Sequence, residues 1–149
     1  PTPPPETEAR KRLTEAERGG VRVHAVDSVS LVLPEDIGQI VITGSHGGIL
    51  GGKPASAIRQ EVYAALYVDA GGAADGSGFS RLPALDPRGI AAATVSASSA
   101  RIGDGLSVYE TGMISAINDT ARAKGCTPTM SARAFVSTLV EAWIKEKQA

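Results

Sequence analysis

Ile40-Val41-Ile42-Thr43 runs directly into Gly44-Ser45-His46-Gly47-Gly48, and the fold is read from this join. An uninterrupted β-branched run suits a strand buried on both faces, as in a parallel sheet, whereas a half-exposed strand alternates. The glycines then open a loop in which the backbone can approach a ligand closely. Two later blocks repeat the theme. AALYV at 64–68 leads into Asp69 and the small-residue loop up to Gly78, and IAAATVSA at 90–97 leads into SSARIGDG. A helix is expected from Pro54, because proline suits a first helical turn, and a short one before Gly89, which closes it.

Upstream, Val21, Val23 and Ala25 alternate with Arg22 and His24. This predicts a half-exposed strand with His24 facing solvent. Ser28–Leu33 reads as its partner in an edge hairpin, ended by Pro34. Downstream, a helix is expected from about Val108 to Lys124 with Gly125 as its stop, and a last helix capped by Ser131 and running to about Lys147. Strand, glycine loop and helix in alternation give an α/β domain with a mostly parallel sheet. The architecture resembles the Rossmann-like and flavodoxin-like three-layer folds, with an N-terminal edge hairpin. Residues 20–149 form this single domain in the reading. Residues 1–19, proline-rich and evenly charged, form a flexible tail that buries too little to offset its ordering.

Composition limits the function. With 149 residues, 15 basic against 16 acidic side chains and a net charge of −1, the chain has no polybasic face for nucleic acid. It has no apolar run near the ~20 residues of a membrane span. Cys126 is the sole cysteine, which excludes an intrachain disulfide, and it reads as a small hydrophobe. The expected compartment is the cytoplasm. The core must be built mainly from Ala, Val and Ile, so a homo-oligomer is expected, held partly by the stripe Phe135, Leu139 and Trp143 on the last helix.

Right-handed crossovers place the three loops at one edge, where the strands' carboxyl ends form a crevice if strand order reverses. Gly47 and Gly48 offer backbone N–H groups to an anion, and His46 a proton donor or acceptor near neutral pH. Ser45 adds a hydroxyl, although the sequence lacks the G-x-S-x-G elbow. Asp69 either orients His46 or accepts bonds from its own loop, and Asp75 either faces the crevice or caps a helix. Arg101 has the planar fork for a carboxylate, with Asp104 as its alternative partner, and Ser99 adds a hydroxyl.

The catalytic candidates are therefore His46, Ser45 and Asp69. The substrate-binding candidates are Gly47, Gly48, Asp75, Ser99, Arg101 and Asp104. No cofactor or metal is called for. The expected function is acid–base hydrolysis or elimination on a small carboxylate- or amide-bearing metabolite. A non-catalytic anion-binding or accessory subunit is the alternative. Gly47 to Lys53 also satisfies G-x-x-x-x-G-K, but Pro54 stands where the magnesium-binding hydroxyl belongs, leaving a degenerate nucleotide-binding loop as a third reading. Asn118-Asp119-Thr120 spells a glycosylation sequon with no secretory signal beside it.

Overall fold

A computed structural model of the chain describes residues 9–46, 58–69 and 81–148, and for His46 the backbone alone. Six strands, β1 (Arg10–Arg12), β2 (Val23–Val26), β3 (Ile40–His46), β4 (Ala64–Val68), β5 (Ala91–Val95) and β6 (Ile114–Ile117), lie side by side in chain order. The described helices are α1 (Arg81–Leu85), α2 (Gly105–Thr111), α3 (Asp119–Ala123) and α4 (Ala132–Gln148). The central strands β2 to β5 are mutually parallel, and an antiparallel strand is added at each edge. The domain is thus mixed α/β. No described helix is long and apolar enough to cross a membrane.

Side chains along a strand alternate between faces, and here both faces are apolar. Ile40, Ile42, Leu66, Val68, Ala93 and Val95 pack with Val108 of α2 and with Phe135, Val136, Leu139 and Val140 of α4. Val26, Val41, Ala65, Tyr67 and Ala92 pack on the other side with Ile58, Leu82, Leu85 and Ile90. Every residue of β4 and β5 is buried, as their unbroken small and branched runs require.

Several details differ from the sequence reading. The antiparallel partner of β2 is Arg10–Arg12, within the stretch read as tail, while Val29–Leu31 forms a 3-10 turn with Ser28 as its cap. A buried ion pair holds this edge: Arg10 donates to both carboxylate oxygens of Asp36 at 2.8 and 2.9 Å, and Asp36 also accepts from the Leu33 amide. The helix expected over Val108–Lys124 is split into α2, β6 and α3. The backbone leaves the helix at Gly112, where a side chain would strike the Val108 carbonyl and the Val95 side chain, and Ile114–Ile117 then pairs with β5.

Asn118, in the sequon, is buried and fully used. Its Oδ1 accepts from Ala92 and Ala121 amides, and its Nδ2 donates to the Leu82 and Ile90 carbonyls. Helix α4 starts as expected, with Ser131 Oγ accepting from the Ala134 amide. Its stripe, however, is used inside the chain: Phe135 and Leu139 are buried in the core, and Trp143 Nε1 donates to the Gly38 carbonyl at 3.2 Å. The argument for an oligomer from that stripe therefore falls away.

His24 is buried, not solvent-facing. Its Nδ1 lies 3.8 Å from Asp36 Oδ1 and has no hydrogen-bond partner among the described residues. Burial, with the Arg10 charge, pushes its pKa below the ordinary 6.5, while Asp36 and Glu17 oppose the shift. A depressed pKa means that below about pH 6.5 the unfolded chain takes up a proton that the folded chain refuses. Stability should therefore fall as the pH drops below about 6.5. Glu17 and Glu146, whose pKa values are also lowered, add their loss only below the carboxylate value of 4.5. Denaturant titrations at stepped pH should show a shallower slope in that window for His24→Gln. An unchanged slope would assign the effect to other groups.

Candidate functional site

The carboxyl edge of the parallel core is shaped by the loop between β5 and α2. Asp104 caps α2 by accepting from the Ser107 amide, and this places residues 103–105 against the ends of β2 and β3. Gly103 donates to the Gly44 carbonyl at 2.8 Å, and Gly105 donates to Asp27 Oδ1 at 3.1 Å. The approach is too close for side chains. A Cβ on Gly44 would lie against the Asp104 amide and 2.7 Å from the Asp27 carbonyl oxygen, and one on Gly105 would overlap the Val26 backbone. Gly44, read as a loop glycine, is thus required by close backbone packing.

Beneath this loop lies a cavity of about 490 Å³, lined by Asp27, Ser28, Val29, Ser30, Gly44, Ser45, Arg81, Ile102 and Gly103. Ser45 Oγ accepts from the Val29 amide at 2.8 Å, which leaves its own proton to donate. Ser45 is kept in place from below: its amide donates to Thr43 Oγ1, which donates in turn to the Leu66 carbonyl. His46 follows Ser45 and pairs with Val68 across the β3–β4 ladder, after a register shift in that ladder. The His46 side chain, together with Gly47, Gly48, Asp75 and the Lys53 loop, lies outside the described residues.

The remaining candidates do not gather at the cavity. Asp69 is buried and its Oδ1 accepts from the Ala97 amide at 3.0 Å, tying the end of β4 to the loop after β5. Ser99 Oγ donates to the Ser96 carbonyl and accepts from the Met113 amide, so it shapes the turn toward β6. The Arg101 side chain is 80% exposed and 3.6 Å from Asp104 Oδ2, and it is not among the cavity-lining groups. An exposed pair of this kind contributes little to stability.

No protein-family model, curated protein or solved structure matches this chain.

The site is therefore read from its own chemistry, and one residue changes the sequence-based picture. Arg81, the first residue of α1, is only 3% exposed and lines the cavity, with its guanidinium 5.0 Å from the centre of the Tyr67 ring. Nothing in SRLPAL distinguishes Arg81 from a surface arginine. Its burial follows from packing α1 over β4, a contact between residues 14 positions apart in the numbering. Strand order does not reverse within the described sheet, so the cavity arises from the loop docked over β2 and β3 and not from a topological switch point. A larger hollow of about 650 Å³ lies between α3 and α4, but its Glu146 is engaged by Lys124 and by the Tyr63 hydroxyl.

Proposed function

We propose that the protein binds a small carboxylate- or amide-bearing metabolite in the cavity at the carboxyl ends of β2 and β3, and hydrolyses it or eliminates from it by proton transfer through His46. The observation that supports this reading is the composition of the cavity wall: a buried cation, Arg81, together with the hydroxyls of Ser28, Ser30 and Ser45. His46 enters the proposal through its residue type and its place at the carboxyl end of β3, since histidine is the side chain that titrates near neutral pH. In this proposal Ser45 donates to the substrate and His46 moves the proton. The parallel core β2–β5, covered on both faces, supports only the layered part of a Rossmann-like reading, since the described strand order lacks the reversal of that architecture.

One observation favours the non-catalytic alternative. Asp69 Oδ1 accepts from the Ala97 amide, which fits the reading of Asp69 as an acceptor of loop bonds. With Asp69 in that structural role, the same cavity serves binding alone.

The test is a panel of small amides, hydroxy acids and amino acids incubated with the protein and followed by proton NMR. The expected result is conversion of at least one compound to a hydrolysed or dehydrated product. Binding of panel members with no conversion would replace the enzyme with a binding module, and neither binding nor conversion would overturn the proposal.

A further inference from the structure

We infer that β1 is a proton-sensitive latch: when His24 takes up a proton, the strand Arg10–Arg12 leaves the edge of the sheet and uncovers the outer edge of β2. His24 is buried, and its Nδ1 has no hydrogen-bond partner among the described residues. In the β1–β2 register it stands directly opposite Arg12.

The groups that face His24 leave a charged ring poorly placed. Arg10 and Arg12 come from β1, Glu17 from the end of the turn after it and Asp36 from the turn Pro34–Asp36, while β3 sets the uncharged Val41 across from it. Both acids are engaged by arginines. Asp36 accepts two bonds from Arg10 and one from the Leu33 amide. Glu17 accepts from Arg12 at 2.8 and 2.9 Å and from the Val23 amide at 3.1 Å. At 3.8 Å from Asp36 Oδ1, the Nδ1 atom is too distant to donate a hydrogen bond. Burial first, then Arg10, disfavours the charged ring; Asp36 and Glu17 oppose this, and Arg12 adds to it.

Departure of β1 reverses the balance. It carries both arginines away and admits water to the ring, and the imidazolium takes the place of Arg10 as the cation beside Asp36, so the buried carboxylate keeps a partner. Proton uptake and departure are therefore linked. The strand is three residues long and wholly basic, and Leu13, which follows it, is buried in the core and serves as the hinge. So short an element opens by itself, ahead of the domain.

Amide hydrogen exchange on the full chain tests the latch. The Asp27 amide donates to the Ala9 carbonyl at 2.9 Å and reports on β1; the Asn118 amide donates to the Ala92 carbonyl at 2.9 Å and reports on the far side of the sheet. With intrinsic exchange rates divided out, lowering the pH from about 7.5 to about 5 should cut the protection of Asp27 relative to Asn118 by about tenfold. His24→Gln keeps a neutral polar side chain and should hold that ratio constant. A constant ratio in the wild type, or the same fall in His24→Gln, would overturn the inference. Should the variant fail to fold, the imidazole proton shifts of the wild type decide. The ratio should fall over the pH range in which the His24 ring titrates, and a fall outside that range would overturn the latch.

Discussion

Asn118→Ala is expected to lower the free energy of unfolding by about 3–5 kcal/mol, the largest stability loss foreseen for a single side chain here. Four buried backbone groups lose their partner at once: the amides of Ala92 and Ala121 and the carbonyls of Leu82 and Ile90. A buried donor or acceptor left unsatisfied costs about 1–3 kcal/mol, and water entering the vacated space recovers part of the total. The four groups belong to β5, the start of α3, α1 and the turn before β5, so the loss should be cooperative and not a local fraying. Asn118→Asp separates the two halves of the network. It keeps an acceptor for the amides but sets an oxygen against two carbonyls, so its own carboxyl should prefer the protonated form when folded. A raised pKa stabilises below the unfolded value and is lost as pH rises, so this variant should fall further behind wild type at about pH 7 than at about pH 4. Urea denaturation checks both, and a loss below about 1 kcal/mol for Asn118→Ala would show that the four bonds are not jointly required.

His46→Gln is expected to reduce turnover by ~10²–10⁴ while leaving the melting temperature and substrate affinity close to wild type. Glutamine reaches about as far as histidine and can hydrogen-bond, but it does not exchange a proton near neutral pH. The loss should therefore appear in kcat and not in KM. It is measured on whichever panel compound is converted. Wild-type turnover by the variant would remove the proton-transfer role and leave the binding reading. A parallel fall in affinity and thermal stability would instead give His46 a structural part.

Much of the fold was legible because local pattern and tertiary burial agree. Ile40–Thr43 and Ala64–Val68 are apolar without alternation, and they are strands covered on both faces. Ser131 and the apolar spacing after it marked α4 correctly. What escaped depends on partners distant in sequence. The pairing of Arg10 with Asp36 spans 26 positions, and it turns three charged residues of an evenly charged stretch into an edge strand. His24 is buried 3.8 Å from the same carboxylate, although alternation with valines argued for solvent. The break between α2 and β6 was hidden because Gly112 looks tolerable in a helix, and only the approach of Val95 shows why glycine stands there.

The candidate site divides along the same line. Ser45, a candidate from the strand-to-glycine join, lines the cavity beside Gly44. Ser99 and Asp104 were chosen for their functional groups, and those groups are engaged in a turn and a helix cap. Arg81 was passed over because burial of a cation cannot be read from its neighbours in sequence.

The central claim is that the cavity under the 103–105 loop holds the ligand. A crystal structure of the protein with the converted panel compound, or with acetate where none is converted, tests it most directly. The account predicts ligand density in the cavity, within reach of Ser45. Density in the groove between α3 and α4 beside Lys124, with the carboxyl-edge cavity empty, would contradict it.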